Sequence, residues 1–154
     1  MLGLIVGYIF LTEPDGSLLE AKYYHAEAFA GAGKVTQEFL DAGLPAVAMD
    51  LRYGAQWDVN SAYGFVNTLK VLLQTSTAAT LAPVCSSFTH MNSGAARRTF
   101  AAPLGNRNQP SVRYANKMAN RCILCLHLLF SLGILFLLEQ PKGKESGRQE
   151  EKIM

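Results

Sequence analysis

Apolar residues in this chain form short continuous runs that alternate with stretches of helical period. Leu18–Tyr24 leads into a first strand that closes at a small-residue turn, Ala28-Phe29-Ala30-Gly31-Ala32-Gly33. Past the turn, Val35, Phe39 and Leu40 recur at helical spacing, and Ala42-Gly43 is a stop signal. Pro45–Met49 is a second apolar run and ends at Asp50. Arg52–Asn60 is mixed and predicts a loop, with Trp57-Asp58-Val59 as a short strand inside it. Phe65, Val66, Leu69, Leu72 and Leu73 then mark one face of a helix over Ala62–Gln74, with Lys70 on the other side. Thr75-Ser76-Thr77 reads as the end of that helix and Ala78–Ala82 as a third strand. Asn116–Ser131 predicts a last helix, Gly133 breaks it, and Ile134–Leu138 reads as a buried, central strand. Strands alternating with helices predict a parallel sheet in a Rossmann-like, doubly wound α/β domain.

The flanks differ from this core. Residues 1–22 form a divergent N-terminal segment in which Met1–Leu11 reads as a short buried strand or an apolar leader. Glu13–Ser17 is a turn by composition. The leader has no basic n-region and no small-residue cleavage site, so it does not read as a secretory signal. Residues 89–115 carry Arg97, Arg98, Arg107 and Arg113 without sustained periodicity, a long basic loop of the kind that often carries function. Residues 142–154 are charged and read as a disordered tail. The α/β domain therefore spans 23–141.

Composition narrows the function classes. With 154 residues the chain fits one domain with a real core, and 49% hydrophobic against 17% charged residues makes it more apolar than most. A net charge of +2 is too small to argue for nucleic acid on electrostatics alone. Three cysteines make no disulfide framework, which favours an intracellular, reducing location, nuclear or cytoplasmic. Cys122-x-x-Cys125 sits in an apolar stretch without a second ligand pair, so no metal site is expected. The 17-residue block 122–138 has no formal charge and lies at the lower limit for spanning a bilayer. A membrane-anchored protein is thus the rival to a helix-plus-strand reading; His127, Ser131 and Gly133 inside the block favour the latter.

The chemistry-bearing residues fall at predicted strand ends. Gly31 and Gly33 allow close approach of a ligand to the backbone. Asp50, 19 positions after Gly31, stands where an acidic residue of a nucleotide-binding βαβ unit holds ribose hydroxyls. Cys85 and Glu139 follow the third and last strands. A Gly-x-Gly turn also joins strand to helix in proteins that bind nothing, and a lone cysteine is commonly just buried.

In that order, Phe29-Ala30-Gly31-Ala32-Gly33, Asp50, Pro83-Val84-Cys85 and Glu139-Gln140-Pro141 resemble the motifs of the cytosine-C5 DNA methyltransferase superfamily. The likeness is nearest to uncharacterised methyltransferase-like algal proteins, through Ala82-Pro83-Val84-Cys85-Ser86-Ser87-Phe88, and covers roughly residues 25–141. The resemblance implies S-adenosylmethionine as cofactor, with Phe29, Gly31 and Gly33 against its methionine part and Asp50 on its ribose. It implies Leu51 near the adenine and Asp58 at the adenine amino group. Cys85 would add to C6 of cytosine in DNA and Glu139 would bond N3, the thiolate and acid together preparing C5 for the methyl group. Arg97 and Arg98 would steer the phosphate backbone. The chain departs from the family, which has Pro-Pro-Cys and Glu-Asn-Val at the corresponding places and a downstream Gln-x-Arg-x-Arg that has no match here. An incomplete core is therefore expected, either working or retained as a catalytically inactive binding module.

Overall fold

The computed structural model describes residues 20–84, 86–88 and 93–139. The segment 1–19, the tail and Cys85 lie outside the described residues, and with them the readings made of the leader, of disorder and of the nucleophile. Among the described residues, four strands, β1 (Tyr23–Ala28), β2 (Ala46–Met49), β3 (Thr75–Leu81) and β4 (Leu135–Leu138), form one sheet in the order β2-β1-β3-β4. Every pairing is parallel. The connecting helices are α1 (Lys34–Asp41), α2 (Ala62–Leu73), a single turn α3 (Ser93–Ala96) and the long α4 (Pro110–Ser131). This is the expected Rossmann-like α/β arrangement.

Alternation along β1 sorts its side chains between two layers. Ala26 and Ala28 point into the main core with Phe65, Leu69 and Leu72 of α2 and Cys125, Leu128 and Leu129 of α4. His25 and Glu27 point the other way, onto α1. The His25 ring stacks on Phe39 at 4.3 Å between centroids. Its Nε2 lies 3.0 Å from the Thr80 hydroxyl, and burial pushes its pKa below the ordinary value, partly offset by the nearby Glu27 charge. The buried Glu27 carboxylate accepts from both the backbone N–H and the hydroxyl of Thr36, at 2.8 and 2.6 Å. Gly33, the N-cap of α1, offers no side-chain cap, so a carboxylate from the neighbouring strand satisfies an otherwise orphaned donor of the first turn.

Four sequence expectations change. Thr75-Ser76-Thr77 does not end α2 but opens β3; Gln74 is the helix C-cap and the chain turns directly into the strand. β-Branched threonines suit a strand as readily as a helix end. Trp57-Asp58-Val59 is no strand: Ala55–Trp57 is a 3-10 turn. The basic stretch is shorter than expected, because α4 begins at Pro110, where a proline without N–H fits the first helical turn. Last, among the described residues the strand after Gly133 lies at the sheet edge rather than its centre, with Leu135 and Leu137 73% and 65% exposed. Block 122–138 divides as helix, turn and strand, and no described helix is long and apolar enough to cross a membrane.

Candidate functional site

The chain passes from β1 to β2 on one side and then back across to β3 on the other. At such a reversal the loops leaving the strand carboxyl ends part and open a crevice. Here it is a concavity of about 470 Å³. Its floor comes from the β1 turn (Phe29, Gly31) and the β2 end (Asp50, Leu51, Arg52). One wall is the Trp57–Asn60 loop; the other is Val84 after β3 together with Tyr114 and Met118 of α4.

Asp50 ties the floor together. One carboxylate oxygen accepts the Gly31 N–H at 2.9 Å and the other accepts the Arg52 N–H at 2.8 Å. Each oxygen keeps a second lone pair, so a ligand hydroxyl can still be accepted. Gly31 has open space where a Cβ would stand. Gly33 does not: it has φ +65°, and a Cβ there would come within 2.9 Å of the Tyr53 hydroxyl. That hydroxyl donates to the Gly31 carbonyl at 3.0 Å. Tyr53 thus covers the second glycine from within the chain.

The loop wall is held from two directions. Asp58 Oδ1 accepts the Asn60 N–H at 2.9 Å and, weakly, the Tyr114 hydroxyl at 3.4 Å. Ser61 caps α2 through the Gly64 N–H at 2.8 Å, and a Cβ on Gly64 would overlap the Asp58 backbone. From α4, Arg121 donates to the carbonyls of Val59 and Ser61 and lies over the Phe65 ring. Asn60 donates its side-chain N–H to the Tyr114 carbonyl at 3.1 Å, while its buried Oδ1 has no partner among the described residues. A buried acceptor left open is costly, and here it sits in a residue lining the crevice.

Phe29, Gly31, Asp50, Leu51 and Asp58, five of the six residues expected at a cofactor, therefore line one crevice; Gly33 is set back behind Tyr53. Glu139 is exposed just past β4, where its N–H pairs with the Leu81 carbonyl, and does not line the crevice. Arg97 is exposed, and Arg98 donates to the Pro103 carbonyl and lies 3.9 Å from the Phe88 ring centroid. Cys122 and Cys125 are buried free thiols, both pushed up to about 12 by burial. Sequence reasoning missed Asn60, Tyr114 and Met118. Tyr114 and Met118 reach the crevice from an element more than fifty positions beyond Asp58, and Asn60 carries no motif. No protein-family model, no curated protein and no solved structure matches the chain.

Proposed function

We propose that this chain is a methyltransferase-like domain whose crevice binds the adenosyl part of S-adenosylmethionine. The observation that carries the reading is the meeting of Gly31, Asp50 and Asp58 in one crevice where the strand order reverses. The residues present fit such a group. A carboxylate with spare lone pairs suits ribose hydroxyls, Leu51 and Trp57 supply apolar surface for a purine, and acceptors on the loop wall suit its exocyclic amine. Tyr53 over Gly33 leaves only the first glycine open to the ligand. The methionine part is accordingly expected to run past Gly31.

On the resemblance to the cytosine-C5 enzymes, the methyl group would pass to cytosine in DNA, with Cys85 as nucleophile and Glu139 at N3. A base in duplex DNA would have to leave the stack to reach such a site. The binding step is tested by calorimetry with S-adenosylmethionine on the wild-type chain and on Asp50→Ala. Saturable binding that the substitution weakens at least tenfold supports the reading. A folded wild-type chain that gives no heat of binding overturns it. The transfer step is tested by incorporation of labelled methyl into DNA, which Cys85→Ser should abolish.

A further inference from the structure

Beneath α1 lies a pair of ionisable side chains that takes no part in lining the crevice. His25 is 1% exposed and Glu27 5%. Two positions apart on β1, they point to the same face of the sheet. A buried imidazole needs a partner at each of its two ring nitrogens. Nε2 has the Thr80 hydroxyl, whereas Nδ1 is buried with no partner among the described residues. The Phe39 ring, tilted by only 10° from the imidazole plane, covers the ring face and keeps it from turning away. A proton taken up here makes both nitrogens donors, and the Thr80 hydroxyl can serve only one of them. The second N–H then requires an acceptor that the neutral ring does without.

The surroundings decide which acceptor that is. β2 and β3 carry no ionisable side chain. Lys34, Glu38 and Asp41 of α1 are all exposed to solvent, and β1 otherwise brings the phenols of Tyr23 and Tyr24, groups that carry no charge in acid. Glu27 is the charged group that acts on His25, opposing the burial that disfavours the protonated ring. Its carboxylate is already engaged by the Thr36 N–H and hydroxyl at the start of α1, a helix without a side-chain cap of its own. We propose that His25 and Glu27 form an acid-operated latch on α1. When His25 takes up a proton, the Glu27 carboxylate turns from Thr36 to the Nδ1–H. The first turn of α1 then loosens, together with the glycine turn that leads into it. Gly31 of that turn lines the crevice, so acid acts on the crevice floor whatever the crevice holds.

The test follows the ¹⁵N-labelled full chain by nuclear magnetic resonance between about pH 7.5 and 5, a range that brackets the ordinary histidine titration, with no ligand present. The Thr36 amide signal should move with the same midpoint as the His25 ring signals, and the Gly31 amide should move with it. Protection of the Thr36 amide from hydrogen exchange, corrected for the intrinsic pH dependence, should fall by roughly fivefold or more. In His25→Phe, which keeps the ring contact with Phe39, that transition should be absent. The proposal is overturned by a His25 ring that titrates while Thr36 stays fixed, or by one that does not titrate in the folded chain above about pH 5. A Thr36 transition that survives in His25→Phe overturns it as well. The first two outcomes are read on the wild-type chain, so they decide the matter even if the variant fails to fold. Because no ligand is added, a failure of S-adenosylmethionine to bind leaves this result standing.

Discussion

At the residue scale, the turn between β1 and α1 depends on two atoms supplied from elsewhere, the Glu27 carboxylate oxygen and the Tyr53 hydroxyl. Glu27→Ala leaves a buried Thr36 N–H and hydroxyl without their acceptor and should cost about 1–3 kcal/mol in a urea titration. Glu27→Gln, which retains an acceptor oxygen, should cost less. Gly33→Ala should cost about 1–3 kcal/mol, since φ +65° is unfavourable for any other residue and the Tyr53 hydroxyl stands in the way. Adding Tyr53→Phe to that variant should recover part of the loss by removing the obstructing oxygen. His25 gives a pH dependence of definite sign. Its pKa in the folded chain lies below the ordinary 6.5, so the unfolded chain binds more protons in that range. Its contribution to stability is fully present above pH 6.5 and drains away as pH falls towards the lowered native value. His25→Phe, which keeps the ring contact with Phe39, should flatten the profile of denaturation midpoint between pH 5 and 7.5.

At the element scale, the α2 entry and the α4 anchor act as one clamp on the Trp57–Asn60 loop. Gly64→Ala should push the Asp58 backbone away from the helix and weaken binding in the crevice several-fold while far-ultraviolet circular dichroism stays near wild type. β4 makes a different prediction. Among the described residues it pairs with β3 alone, and its uncharged Leu-Phe-Leu-Leu sequence leaves an apolar edge towards water. Such an edge templates pairing with another chain. Leu137→Lys should leave the melting temperature within a degree or two and lower self-association, as read by light scattering across a concentration series. The same strand shows why part of the fold escapes sequence reasoning. Periodicity and glycine signals are local, so β1, α1, β2 and the body of α2 are legible. Whether an apolar run becomes a central or an edge strand depends on pairing order, which no local pattern encodes. The start of α4 was hidden for a related reason, because Arg113, Tyr114 and Lys117 lie on its exposed side and mask the helical period.

At the scale of the whole molecule, the candidate site was half legible. Its floor follows from a strand–turn–helix–strand unit with a carboxylate at a fixed distance, which is a sequence pattern. Its far wall, Tyr114 and Met118, depends on how α4 crosses the sheet and left no trace in the spacing of residues. If S-adenosylmethionine binds, a hundredfold excess over the dissociation constant should add about 2.7 kcal/mol of stability. For a chain of this size that raises the melting temperature by roughly 5–10 °C in differential scanning fluorimetry. The Arg121 contacts to the Val59 and Ser61 carbonyls span 62 and 60 positions of sequence. A ribosome adding about 5–20 residues per second needs roughly 3–12 s to make that much chain. For that interval the glycine turn, Asp50 and the loop have all been synthesised while the helix that closes the crevice has not. The crevice is therefore a late product of synthesis, and a nascent chain halted before α4 carries its floor without the wall that Tyr114 and Met118 supply.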